Sequence, residues 1–114
     1  MITVYGLRNC DTCRKALNWL DMEEIQYEFH DFRNEGIEAK ELAVWSKKVG
    51  WERLLNRRST TWRNLPEQKK KDLEEKKANK LMIANPTLIK RPVFNYDSEI
   101  IVGFGELERE ALKI

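Results

Sequence analysis

The chain is poor in the residues that announce most sites. It has two cysteines, one histidine, five glycines and three prolines among 114 residues. Two neighbouring cysteines cannot staple distant segments, which excludes a disulfide scaffold. A four-ligand zinc site needs two ligands beyond Cys10 and Cys13, and His30 is the one histidine, so we expect no metal. No apolar run exceeds four residues, as in Leu81 to Ala84, whereas a membrane-spanning helix needs roughly 20. The opening Met1-Ile2-Thr3-Val4-Tyr5 has no basic stretch leading into an apolar run and a cleavage site, so we expect a cytoplasmic protein. Charge of one sign is also lacking. The 21 basic and 19 acidic residues give a net charge of +2, which argues for neither nucleic acid nor membrane as a partner. The densest basic stretch, Lys69-Lys70-Lys71, lies among Glu67, Asp72, Glu74 and Glu75 and reads as a solvated helix face.

What is present fits a globular chain. Apolar residues make up 41% and charged residues 35%, and the length suits one domain with one core. Ile2-Thr3-Val4-Tyr5 predicts a buried strand ended by Gly6. Asp11 to Asp21 predicts a helix with Ala16, Leu17 and Leu20 on one face. Ile25 to Phe32 alternates Ile25, Tyr27 and Phe29 against Gln26, Glu28 and His30, the period of a strand. The Asn34-Glu35-Gly36 loop follows, and then Glu38 to Val49 predicts a helix with Leu42, Trp45 and Val49 aligned, stopped at Gly50. Pro66 suits a first helical turn, so we expect a surface helix from Pro66 to about Asn79, then a short one over Leu81 to Asn85. Pro92 to Tyr96 and Ile100 to Val102 predict a hairpin about Asp97-Ser98, before a last helix with Leu107, Ala111 and Leu112 apolar.

The resulting order, β-α-β-α-(helices)-β-β-α, is that of an α/β, thioredoxin-like fold with a helical insertion. We expect a single domain over residues 1–114, with the insertion at about 37–88. The first β-α-β unit should be parallel and right-handed.

The sharpest chemical signal is Cys10-Asp11-Thr12-Cys13, after a strand and at the start of a helix. A helix N-terminus presents unpaired N–H groups and partial positive charge, and both favour thiolate over thiol. Cys10 is thus the candidate nucleophile, and Arg8 and Arg14 would assist if they point inward. Cys13, one turn on, either resolves a mixed disulfide on Cys10 or is simply a small buried helix residue. Lys90-Arg91-Pro92 precedes the hairpin. In a thioredoxin-like fold a cis proline stands there, and Arg91 would project next to Cys10. Arg53, Arg57, Arg58 and Arg63, interleaved with hydroxyls, could bind an anion, although solvated loop arginines are the commoner case. His30 reads as structural. Trp19, Trp45, Trp51 and Trp62 read as core and loop anchors rather than base-stacking platforms.

Four stretches carry a family resemblance: Tyr5 to Thr12; Gly50-Trp51-Glu52 with Leu54-Leu55-Asn56; Ser59 to Leu65; and Ile89-Lys90-Arg91-Pro92. In order and spacing the chain resembles the ArsC/Spx family, and within it the YffB branch. The resemblance implies a thioredoxin-like fold with Cys10 as nucleophile. In arsenate reductases of the family, the cysteine attacks arsenate, glutathione attacks the adduct, and glutaredoxin reduces the mixed disulfide. Three arginines support the oxyanion there. Arg91 matches the one before the proline. Arg58 matches the arginine of the YffB and Spx branches, while Asn56 stands where arsenate reductases carry theirs. The third position falls near Gly103.

The resemblance thus implies a glutathione-dependent thiol reductase. Its alternatives are a glutaredoxin-coupled arsenate reductase and an Spx-like redox-sensing regulator that binds RNA polymerase. The expected site joins catalytic Cys10 and Cys13 to substrate-binding Arg58, Arg91, Pro92, Asn9, Thr12 and Arg14. We expect no tightly bound cofactor, glutathione as co-substrate, glutaredoxin as a partner, and a monomer.

Overall fold

A computed structural model describes residues 1–113. It contains a four-stranded sheet of order β2-β1-β3-β4, formed by β1 (Ile2–Gly6), β2 (Tyr27–Asp31), β3 (Val93–Tyr96) and β4 (Glu99–Val102). β1 and β2 run parallel, from Ile2 opposite Tyr27 to Gly6 opposite Asp31. β3 pairs antiparallel with β1, placing Phe94 opposite Val4. β3 and β4 form the expected hairpin, with Val93 opposite Val102. Asp97 and Ser98 both have positive φ, +45° and +70°, as the tightest two-residue hairpin turn requires. The sheet and its flanking helices are those of a thioredoxin-like fold.

The chain forms two compact units. One comprises residues 1–35 and the segment from Arg91 onward; the other comprises residues 36–90. In the sheet unit, α1 (Asp11–Met22) turns Ala16 and Leu20 into a core with Ile2, Val4, Phe94 and Leu112. β2 is followed by one helical turn, α2 (Phe32–Glu35), where the sequence suggested continued strand and loop. Asp31 ends β2 by accepting the Arg33 N–H through Oδ1 at 2.8 Å, a local bond that turns the backbone out of the strand. The last helix, α8 (Glu106–Leu112), is closed at its start by the Gly105 N–H donating to Glu108 Oε1 at 2.7 Å. Its apolar residues do not share a face: Leu112 is buried, while Leu107 is 81% exposed.

The helical unit contains α3 (Ala39–Val49), α4 (Trp51–Leu54), α5 (Thr60–Asn64), α6 (Glu67–Lys70), α7 (Glu75–Ala84) and a 3₁₀ turn over Pro86–Leu88. α3 buries Leu42 and Trp45, as the periodicity predicts. Ser46 on α3 donates through Oγ to Asn79 Oδ1 on α7 at 2.9 Å. The predicted helix from Pro66 to Asn79 is instead broken in two. Asp72 takes φ +52°, and Glu74 then starts a new helix by accepting from the Lys76 and Lys77 N–H groups. The predicted short helix over Leu81 to Asn85 is the end of α7, which buries Ala78, Leu81 and Met82.

Candidate active site

The last residue of β1, Gly6, leads through Leu7, Arg8 and Asn9 to Cys10, which caps α1. Cys10 has extended backbone angles, φ −103° and ψ 123°, and its carbonyl accepts the Arg14 N–H at 2.9 Å. The helix therefore begins on the nucleophile itself. Its side chain is partly exposed, while Cys13 is fully buried. Gly6 makes that placement possible. A Cβ at residue 6 would stand 2.5 Å from Cys13 Sγ, a separation no pair of unbonded heavy atoms tolerates.

The two thiols have opposite acidities. Partial burial opposes ionisation of Cys10. That cost is outweighed by the Cys13 N–H, the Cys13 thiol and the Arg91 guanidinium, all of which hydrogen-bond its sulfur, and by the Arg91 charge. The net effect lowers the Cys10 pKa below its ordinary value. For Cys13 burial dominates. Helped by the neighbouring Cys10 charge and opposed by the Leu7 N–H and Arg91, it pushes the thiol up to about 12. A neutral Cys13 is a donor, so the pair behaves as a thiolate held by a thiol.

The Arg91–Pro92 peptide bond is cis. Arg91 is half-buried with its guanidinium on Cys10. Pro92 is buried, and its carbonyl accepts the Gly103 N–H at 2.8 Å, which ties the start of β3 to the end of β4. Asn9 and Thr12 flank Cys10 in the chain and are exposed.

Arg14 and Arg8, in the same unit as Cys10, have other partners. Arg14 pairs with Asp11. Arg8 stacks over the Phe29 ring at 5.3 Å and lies 3.9 Å from Asp31. Among the described arginines it is Arg91 that tunes Cys10. Arg58 belongs to the helical unit and is exposed; its N–H donates to Asn56 Oδ1 and its carbonyl accepts from Arg63. In the same unit Trp62 is covered by Arg57 and Lys70, at 5.8 and 5.3 Å from its ring. His30 is half-buried, packs on Tyr5 with ring centroids 4.7 Å apart, and lies 3.9 Å from Glu35.

The sequence did not single out Asp31. This carboxylate is only 6% exposed, at the carboxyl end of β2. Together with Leu7, Arg8, Asn9 and Arg33 it lines a depression of about 230 Å³. The available signal was an acid at the position where the alternation of Ile25, Tyr27 and Phe29 calls for an apolar residue. Among the described residues, no group of three or more His, Cys, Asp or Glu side chains could hold a metal ion. No described helix is long and apolar enough to cross a membrane.

Comparison with known proteins identifies the family. The model of the ArsC family matches residues 5–112. An uncharacterized protein of Haemophilus influenzae is 47% identical over 111 residues, covering 97% of each chain. The global transcriptional regulator Spx of Enterococcus faecalis is 30% identical over 113 residues, covering 95% of this chain and 83% of its own. Among solved structures, a YffB protein superposes with a TM-score of 0.93 at 42% identity, covering 97% of each chain. An arsenate reductase related protein from Brucella melitensis superposes with a TM-score of 0.78 at 44% identity, covering 99% of this chain and 95% of that one.

Proposed function

The chain belongs to the ArsC family, a thiol-oxidoreductase family, and from that premise we propose that it is a glutathione-dependent thiol reductase with Cys10 as nucleophile. The observation that supports this reading most is the asymmetry of the two thiols: Cys10 lowered by three donors, and Cys13 buried and pushed up to about 12. A thiolate reacts and a thiol does not, so one cysteine carries the covalent step while the other steadies it.

The exchange runs in two steps. The Cys10 thiolate attacks the glutathione sulfur of a mixed disulfide R–S–S–G. A Cys10–S–S–G bond forms, the S–S bond of the substrate breaks, and the R–S thiolate leaves to take a proton from solvent. A glutathione thiolate then attacks the glutathione sulfur of the adduct, which returns the Cys10 thiolate and releases glutathione disulfide. The substrate sulfur is thereby reduced at the expense of one glutathione sulfur. Arg91 holds the Cys10 charge between turnovers and lies where an anionic substrate group approaches. Asn9 and Thr12 lie next to the nucleophile along the chain, Pro92 follows Arg91 across the cis peptide bond, and Arg58 enters on the resemblance alone. Burial of Cys13 is the larger cause of its high pKa and persists when Cys10 is capped, so external glutathione is the resolving thiol.

Mass spectrometry after incubation with glutathione disulfide tests the reading. Equal adducts on Cys10 in wild type and Cys13→Ser, and none in Cys10→Ser, are expected. An adduct that accumulates only in Cys13→Ser would make Cys13 the resolving thiol, and no adduct in either would end the reductase reading. The same incubation with arsenate reads the arsenate alternative. The likeness to the Enterococcus faecalis regulator supports a second reading, a redox-sensing module for RNA polymerase. It requires copurification with polymerase and a change in binding when Cys10 and Cys13 are oxidised.

A further inference from the structure

We propose that the depression beside the nucleophile, lined by Leu7, Arg8, Asn9, Asp31 and Arg33, recognises the free α-amino-acid group of the thiol substrate, with Asp31 taking its ammonium and Arg8 and Arg33 its carboxylate. The proposal rests on the thiol-exchange reading and names the part of the substrate that this unit selects.

Position is the first argument. β1 and β2 are parallel and end in register, Gly6 opposite Asp31. Ligands of open parallel sheets bind in the crevice outside the carboxyl ends of the strands. All five lining residues belong to the sheet unit. Asn9 lines the depression and immediately precedes Cys10 in the chain.

The second argument is the state of Asp31. Its side chain is 8% exposed, and a buried carboxylate is costly unless well paired. Oδ1 accepts the Arg33 N–H at 2.8 Å. Oδ2 lies 3.9 Å from Arg8 Nε, beyond hydrogen-bond distance. A carboxylate offers about four acceptor positions, and the contacts present leave room for a cationic donor. Arg8 has not closed on it, because its guanidinium sits over Phe29 and its side chain is 75% exposed.

The third argument is the mixture of signs. A purely anionic ligand would be repelled by a buried carboxylate, and a purely cationic one by two guanidinium groups. A group bearing ammonium and carboxylate on one carbon satisfies all three. Guanidinium groups suit a carboxylate in bidentate fashion. A volume of about 230 Å³ is below that of sites for drug-sized ligands, which start at roughly 300 Å³, and fits such a head group. Glutathione carries one at its γ-glutamyl end.

The test compares two disulfides on the full chain: glutathione disulfide, and the same molecule with both amines acetylated. The rate of adduct formation on Cys10 is followed by mass spectrometry. Wild type should react with the acetylated form about tenfold more slowly, the scale of one lost charged hydrogen bond. Asp31→Asn should lose that discrimination. Its rate with 2-hydroxyethyl disulfide, which has no amino-acid group, should stay unchanged. Arg8→Ala and Arg33→Ala, at exposed positions, should slow the reaction with both glutathione disulfides, which keep the carboxylate, and spare that with 2-hydroxyethyl disulfide. Equal wild-type rates with the two disulfides would overturn the proposal. So would an Asp31→Asn variant that binds glutathione disulfide more tightly, since that outcome means the depression takes an anion alone. S-methylglutathione, which cannot exchange, separates this idea from the reading beneath it. Amide shifts at Leu7, Asn9 and Asp31 on its addition, in a protein whose Cys10 forms no adduct, would sustain the binding site and sink the reductase. Adducts without those shifts would do the reverse.

Discussion

The sheet unit and the helical unit place their charges differently. In the sheet unit, charge is drawn inward to single atoms: Arg91 onto Cys10, and Asp31 into the floor of a depression. In the helical unit it lies over a ring face or at the surface. Arg57 and Lys70 cover a half-buried Trp62, and Lys47 reaches Glu75 at 3.8 Å with both side chains well exposed. Surface pairs of that kind contribute little to stability. A charge brought toward the interior acts strongly on its neighbour. On the proposed reading chemistry belongs to the sheet unit, and the contrast can be broken by experiment.

The largest effects should come from the cores. Phe94→Ala removes a fully buried ring on β3, opposite Val4, and should cost about 3–5 kcal/mol in urea unfolding. Trp45→Phe disturbs the core of the helical unit, yet Cys13 and Arg91, which lower the Cys10 pKa, lie in the sheet unit. The pH midpoint of Cys10 alkylation should therefore stay where it is. A shift in that midpoint would show that the units share the chemistry.

Gly6→Ala probes the closest approach in the sheet unit. Its Cβ would meet Cys13 Sγ at 2.5 Å, an overpacking worth about 1–3 kcal/mol. The collision is with the sulfur, since the next atom, Cys13 Cβ, is 3.5 Å away. Cys13→Ala in the same chain should relieve most of it, giving a strong coupling in a double-mutant cycle. Additive costs would place the strain elsewhere.

Cys13→Ala alone tests the thiol pair by pH. It removes a donor to the Cys10 sulfur, so the midpoint of Cys10 alkylation should rise. Stability should respond on the alkaline side. An acid whose folded pKa is raised contributes stability that is present below its unfolded value and lost as pH climbs through the folded one. For Cys13 that window runs from 9.0 to about 12. Wild type should lose more stability than Cys13→Ala across it. Cys10, being lowered, contributes with the opposite sign: its share is present above its unfolded value and lost as pH falls through the folded one. Parallel losses in the two proteins would mean that Cys13 is not held neutral by the fold.

How much of this was legible in the sequence depended on whether the deciding interaction was local. β1, α1 and the hairpin followed from short-range signals: a β-branched run before Gly6, a 3.6-residue stripe, and a two-residue turn. The Cys10–Cys13 spacing was readable for the same reason. Arg91 reached Cys10 only through the reading of the whole fold, because 81 positions separate them in the chain. Asp31 was missed because its burial is set by Gly6 and the 7–9 loop on another strand, and strand periodicity says nothing about a neighbour. Ser59, which accepts the Trp62 N–H at 3.1 Å, was a readable cap for α5 that the arginine-rich context obscured.

The smallest effect concerns the break between α6 and α7, where the helix predicted from Pro66 to Asn79 divides. Neither glycine nor proline stands there. Glu74 is not among the residues that usually cap helices, so nothing local marked the boundary. Yet Glu74 accepts the Lys76 and Lys77 N–H groups at 3.0 and 2.8 Å. The carboxylate also meets the positive end of the helix. Glu74→Ala leaves those N–H groups to water and should cost about 1 kcal/mol in urea unfolding, the usual value of a cap. Glu74→Asp, with a shorter reach to the same groups, should recover part of it. The Cys10 alkylation midpoint should not move with either, because the cap belongs to the unit that packs rather than reacts. A stability-neutral Glu74→Ala would mean that Asp72 and the packing of Ala78 against α3 fix the break without it.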